Sequence, residues 1–291
     1  MPRTRYVVVS PMKNEEKYVS LTLESVVSQT IQPVEWVIVN DGSTDRSPEI
    51  VNSFAAKNSW IRVLDVAGLG ERLPEHYGGH VVDLFNEGLR FLRTQDFDFV
   101  VKLDCDVSFE PDFFRTLLDA FDKREQLGIS SGISFAVING VLQEEKSAPS
   151  HTLGATKMYR RECFADIDGL VPSMGWDGID EIKARMKGWE AYPLRELIVH
   201  HHRPEGAALG LMASGVERGK GSYFMGYHPL FMIFRVLRRM LKPGFFTDGI
   251  GMLVGYFSSL FRNEARIADP EFIRYLQKNQ LRKLLLLQSE V

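Results

Sequence analysis

The chain has 291 residues, 44% of them hydrophobic and 25% charged, which fits one large globular domain or a medium domain with an extension and excludes a low-complexity chain. Two cysteines, Cys105 and Cys163, exclude a disulfide framework or zinc site and fit a reducing compartment; no apolar run reaches the ~18 residues of a membrane span, and MPRTRYVVVSP is no signal segment. The net charge of −3 is uneven: residues 200–291 hold 13 Lys and Arg against 7 Asp and Glu, leaving −9 on the rest, which excludes a nucleic-acid profile over the whole chain and gives the tail an anionic partner.

Residues 5–10, RYVVVS, read as a strand. From Glu15 to Gln29, Val19, Leu23, Val26 and Val27 recur at helical spacing. EWVIVN, 35–40, is a second buried strand. The DGSTD after it is a turn that becomes a helix start, with Ser43, Thr44 or Asp45 as cap. WIRVLDV, 60–66, is a third strand, followed by a Gly-rich loop and a helix near 79–93. A fourth strand ends at KLDCD, and a helix runs from Pro111 towards 123. GISFAVING, 132–140, is a strand and QEEKSAPSH a polar loop. GWDGIDEIKARMKGWEAY, 175–192, places acids at the start of a short helix. ELIVHHHRPEG reads as an edge strand ending in histidines, and beyond Gly206 the pattern is helical and Gly-punctuated. Alternation with short connections predicts an α/β chain: a mostly parallel, doubly wound sheet over 1–205 and an all-helical extension over 206–291.

The chemistry concentrates in VVKLDCDVSFEP, 100–111. Side chains alternate along a strand, so Lys102, Asp104 and Asp106 share a face if the extended geometry persists. Two carboxylates this close repel unless a cation lies between them, and a hard divalent ion with oxygen ligands is the usual remedy. A solvated acidic turn is the plainer alternative. Lys102, unusual in a buried strand, would pair with an acid of the site or a diphosphate oxygen.

P-x-x-N-E near the first strand, NDGSTD after the second, D-x-D after the fourth, an acid cluster opening a helix and a late His come in this order over roughly residues 5–203. In that order and spacing the chain resembles the family 2 glycosyltransferases of GT-A fold. The resemblance implies inverting transfer of a sugar from a nucleotide diphosphate sugar, a UDP-sugar by preference, to a glycan or lipid-linked acceptor, with Mn²⁺ or Mg²⁺. It places Pro11, Glu15, Asp41, Lys102, Asp104 and Arg203 around the nucleotide sugar. Asp106 becomes the direct metal ligand, with Asp104 in its shell and His201, then His202, as the late histidine. Asp180 is the first choice for the base, as a carboxylate at the helix N-terminus; Asp177, favoured by counting back from Gly188, is the second, with Glu181 beside them. Trp176 is a sugar-stacking wall or a core residue. The arginine that many family members carry before Asn-x-Gly is Phe85 here, and Arg72 or His80 would stand in for it. A sugar-phosphate nucleotidyltransferase and a non-catalytic sugar-nucleotide binder are the rival readings.

The tail carries Arg235, Arg238, Arg239 and Lys242 at helical spacing, with Phe231, Phe234, Leu237 and Leu241 on another face. This is an interfacial helix on an anionic membrane, or a helix packed on the catalytic part with its basic side solvated. GIGMLVGYFSSLF is a core or interface helix, too short to span. A cytoplasmic chain in peripheral contact with the inner membrane face is the corresponding expectation.

Overall fold

The structure, a computed structural model, describes residues 4–66, 79–138, 141–145, 148–203, 210–241 and 246–285. Arg72, Gly78 and Lys242 lie outside the described residues.

Strands β1 (Tyr6–Met12), β2 (Glu35–Asn40), β3 (Ile61–Asp65) and β4 (Phe99–Leu103) are parallel in the order β3-β2-β1-β4. The period of two divides each central strand between two cores. Tyr6, Val8, Trp36, Ile38, Phe99 and Val101 face one hydrophobic cluster, while Val7, Val9, Val37, Val39 and Val100 face another. Continuous apolar strands suit a sheet covered on both sides. Helices α1 (Val19–Val27) and α2 (Ser47–Ala55) cover the first face; α3 (His80–Phe91) covers the second. The chain thus winds outward from β1 through β3 and returns on its other side to β4. This reversal opens a crevice at the carboxyl ends of β1 and β4.

Beyond β4 the sheet becomes mixed, continuing β8-β6-β9-β5. The strands are β5 (Val107–Phe109), β6 (Leu127–Ile138), β8 (Thr156–Arg160) and β9 (Glu190–His201), with α4 (Phe113–Lys123) after β5 and α5 (Arg161–Asp166) after β8. Three expectations change here. The strand ending in histidines is no edge: β9 lies between β6, parallel to it, and β5, antiparallel. A short strand, β7 (Val141–Glu144), precedes the polar loop and takes its first two residues, folding back on β6 as a hairpin. Helix α6 (Trp176–Met186) starts directly after Gly175, whose φ of +81° is a conformation that favours glycine. Asp177 therefore occupies the first turn, and Asp180 lies one turn further in.

Four helices follow: α7 (Gly210–Phe224), α8 (Pro229–Met240), α9 (Phe246–Phe261) and α10 (Pro270–Leu285). α10 packs on α6 through Ile179, Ile267, Phe272 and Leu276, so the helical part is seated on the helix that carries the acid cluster. α7 and α9 cross at backbone distance: a Cβ on Gly255 would lie 2.0 Å from the Val216 carbonyl, and one on Gly219 2.2 Å from that of Met252.

Candidate active site

The loop after β1 and the turn after β2 are held together by hydrogen bonds. Asn14, at φ 55°, donates its N–H to Ser43 Oγ at 3.0 Å and accepts the Thr44 N–H at 2.8 Å. Glu15 N–H donates to Ser47 Oγ at 2.7 Å, and Glu16 and Asp45 each accept a backbone N–H from the other loop. NDGSTD and NEE are thus two halves of one rim, with Glu16 and Asp45 as structural ties.

Two acids remain for the crevice. The Asp41 side chain is fully buried, and its Oδ2 accepts from Lys13 Nζ and faces His80 Nε2, both at 3.0 Å. Burial alone would raise its carboxyl, but the bonds from Lys13 and His80 hold it below the ordinary value. His80, one of the two residues named as substitutes for the missing arginine, stands beside Asp41. Glu15 accepts from Arg203 and is pushed up to about 7, chiefly by burial and then by the Asp106 charge. Pro11 sits in β1 opposite Val39, one residue from the strand end.

β4 ends at Leu103, so residues 104–106 form a turn and the extended geometry does not persist. The grouping it was meant to produce survives. Lys102, 3% exposed, pairs with Asp104, while Cys105 points into the core. Burial raises the Asp104 carboxyl and the Asp106 charge adds to this, against the pull of Lys102. Asp106 lies 3.7 Å from His201 Nε2 and 3.9 Å from Arg203 Nε. His201 Nδ1 meets Glu145 Oε2 at 2.9 Å. Burial disfavours the His201 imidazolium, yet Asp106 and Glu145 raise it to about 10 with no ion bound, so a metal on Nε2 would take the place of a proton. His202 is turned elsewhere: Nε2 bonds Ser108 Oγ at 2.9 Å, and the ring stacks on Tyr18. Alternation along the strand permits only one of two consecutive histidines to face Asp106.

Among the described residues no group of three or more His, Cys, Asp or Glu is preformed for a metal. A divalent ion that takes phosphate oxygens and water needs only one or two protein carboxylates. Asp106 and His201 supply that set, with Asp104 adjacent. A carboxylate behind the second imidazole nitrogen, as Glu145 is, is how metal-binding histidines are oriented. The residues fit a Mn²⁺- or Mg²⁺-type ion.

The acid cluster resolves into different tasks. Asp180 is 1% exposed, receives Lys157 Nζ at 3.0 and 3.1 Å on its two oxygens, and accepts from Tyr159 Oη at 2.6 Å. With both oxygens occupied inside the core it cannot reach an acceptor hydroxyl. Glu181 accepts the N–H and hydroxyl of Thr152, both at 2.6 Å, and faces Arg185 at 3.3 Å. Asp177 keeps a side chain 35% exposed and faces His151 Nε2 at 3.3 Å; the same imidazole reaches Glu181 at 3.1 Å. Burial works against the Asp177 charge, but His151 and Lys157 hold its carboxyl at about 2. Trp176 is a core residue, with Lys102 Nζ 5.1 Å from its ring and Lys157 Nζ 5.4 Å. His151 and Lys157 were not legible as site residues: one is a lone histidine in a polar loop, the other sits in an unremarkable strand.

The family model for glycosyl transferase family 2 matches residues 7–173. EpsH of Bacillus subtilis (strain 168) is 25% identical over 189 residues, 64% of this chain but 50% of EpsH, so the chain spans about half the length of that relative. The Staphylococcus aureus TarS fragment 1–349 in complex with UDP-GlcNAc superposes with a TM-score of 0.55 at 18% identity, over 95% of this chain and 82% of that one. Mannosyltransferase PcManGT from Pyrobaculum calidifontis, in complex with GDP-Man and Mn²⁺, gives a TM-score of 0.53 at 18% identity, covering 99% and 76%. The sheet order and these likenesses identify the architecture as the GT-A fold, and by the family match the chain belongs to glycosyl transferase family 2.

Proposed function

We propose that this protein is an inverting glycosyltransferase that moves a sugar from a nucleotide diphosphate sugar, UDP-linked by preference, to a hydroxyl of a glycan or lipid-linked glycan. The observation that carries this is that Lys102, paired with Asp104, lies 5.1 Å from the ring of Trp176, the residue before Asp177, which brings two acid groups to one place. On one side are the opposed carboxylates Asp104 and Asp106, with His201 and Arg203; on the other is the accessible Asp177. Asp41, held ionised by Lys13 and His80, accepts hydrogen bonds from the base or ribose. Arg203 and Lys102 neutralise diphosphate oxygens. Asp106 and His201, beside Asp104, hold a divalent ion, which when bound supplies Lewis-acid stabilisation of the charge on the leaving diphosphate. Asp177 takes the acceptor proton. A single displacement on the opposite face of the anomeric carbon then needs no covalent intermediate. The Mn²⁺ and nucleotide sugars bound by PcManGT and TarS support this reading of the cleft.

The test is nucleoside diphosphate release from a panel of UDP-, GDP- and dTDP-sugars with and without Mn²⁺. Release that requires Mn²⁺ and disappears in Asp106→Asn is the expected result. Pyrophosphate release from nucleoside triphosphate plus sugar phosphate would replace it with a nucleotidyltransferase. Donor binding without turnover, with any acceptor glycan, would leave a binding subunit.

A further inference from the structure

We propose that the outward faces of α8 and α9 form a docking surface for an anionic lipid bilayer. α8 is apolar on two faces: Phe231, Met232 and Val236 are buried against the core, and a second apolar row points outward. Leu230, Ile233, Phe234, Leu237 and Leu241 recur at one-face spacing and all are exposed, Leu230 by 62% and Leu241 by 85%. Arg235 and Arg239 turn the other way. Arg239 pairs with the fully buried Asp248, and Arg235 donates to Ser222 Oγ at 3.2 Å. Of the described basic residues of α8 only Arg238 is left exposed, so the solvated face of this helix is mainly apolar. α9 repeats the arrangement, with Phe246, Ile250, Val254 and Phe261 outward and Asp248 inward. Met232 and Val236 of α8 share a cluster with Met252 and Tyr256 of α9, so both outward rows belong to one packed pair. Apolar rows of this extent on adjacent helices mark an interaction surface.

Charge selects the occupant. Residues 229–262 contain Arg235, Arg238, Arg239, Lys242 and Arg262 against a single acid, Asp248. Arg238 is exposed at the border of the α8 row, its guanidinium 5.9 Å from the Phe234 ring. Arg262 is exposed next to Phe261, with Glu264 at 4.0 Å. A second copy of the same face would meet these cations with like charge. An anionic bilayer offers acyl chains to the rows and phosphates to the arginines at once, as interfacial helices require. Among the described residues no helix is long and apolar enough to cross a membrane, so the pair lies along the surface.

Docking needs no sugar donor, so its test is independent of the transferase reading. The full chain is sedimented with vesicles of phosphatidylcholine alone and of phosphatidylcholine with phosphatidylglycerol. Binding to the anionic vesicles, about tenfold weaker on neutral ones and falling with salt, is expected. The double variant Phe234→Glu, Leu237→Glu lowers binding by a further tenfold or so, while Arg238→Glu alone reduces the anionic preference. All three side chains are exposed, and circular dichroism with Tm verifies each fold. A chain that stays in the supernatant with anionic vesicles at low salt overturns the proposal. So does a concentration-dependent dimer that the same double variant dissociates, which would assign the surface to a second copy.

Discussion

Asp177 and Asp180 are separated by less than one helical turn, and their surroundings give them opposite fates. Replacing Asp180 with Asn takes the nearest counter-charge from the buried Lys157 ammonium and leaves it Glu181 at 3.7 Å, so the loss falls on stability: about 3 kcal/mol in a denaturant melt. Asp177→Asn removes a proton acceptor from an open position. It costs transfer about 10²–10⁴-fold while donor-induced thermal shifts persist; full transfer by Asp177→Asn would move the base elsewhere. His151 tunes this acid and produces a pH signature. Burial opposes its proton, but Asp177 and Glu181 raise it to about 10, while both carboxyls are held at about 2. A raised histidine contributes fully below its unfolded value of about 6.5 and loses the contribution as pH climbs towards 10. Depressed carboxyls contribute above about 4 and lose it as pH falls. The stability gap between wild type and His151→Ala is therefore widest between about pH 4.5 and 6.5, at about 1–3 kcal/mol, and narrows on either side in a series of urea melts. In the same variant the acidic limb of the pH–rate profile moves upward, because Asp177 loses its strongest partner. An unmoved limb would reduce His151 to a structural residue.

Elements differ in how much of them a single stretch of sequence encodes. β1, β2 and β4 were legible because each carries its own apolar run and each ends in polar residues. β5 was not, since a strand of three residues exists only through its distant partner β9; β7 was not, since its four residues, paired back on β6 in a hairpin, have no buried face to give an alternating pattern. β9 was misread as an edge for the same reason as β5: its neighbours on both sides come from elsewhere in the chain. The site shows the same division. Asp104, Asp106 and His201 are local in pattern and come together as expected. Counting back from Gly188 pointed to Asp177, and the helix N-terminus argument to Asp180; setting Asp180 aside required Lys157 and Tyr159 on β8, which occupy its oxygens. The α7–α9 crossing is an element-level property that the glycines announce only in pairs. Gly219→Ala and Gly255→Ala each gain helix propensity of about 1 kcal/mol. Their new methyls, however, meet carbonyl oxygens at 2.2 and 2.0 Å on a facing backbone that cannot rotate aside. Overpacking wins, with a net loss of about 1–3 kcal/mol per substitution by chemical denaturation. Neutral variants would mean that the two helices separate at little cost.

At the scale of the molecule, residues 1–199 carry the −9 and the tail the +6, yet the proposed donor is itself a polyanion. The cleft gathers Glu15, Asp104 and Asp106 against Arg203, Lys102 and His201, and the strain among the acids shows at Glu15, raised to about 7 first by burial and then by Asp106. A diphosphate entering this place adds negative charge where carboxylates already repel. Arg203 pairs with Glu15 and Lys102 with Asp104, so each can turn to a diphosphate oxygen only once another cation balances the acid it leaves. A divalent ion held at Asp106 would resolve the conflict by supplying the positive charge that the diphosphate needs. Nucleotide sugar alone should therefore leave Tm nearly unchanged. With Mn²⁺ the same concentrations should stabilise the fold by mass action, by about 2.7 kcal/mol at a hundredfold excess over Kd. EDTA should reverse the shift, and Asp106→Asn should never show it. Equal stabilisation with EDTA present would mean that the two basic side chains release their acids and carry the diphosphate unaided, and the ion would drop out of the binding step.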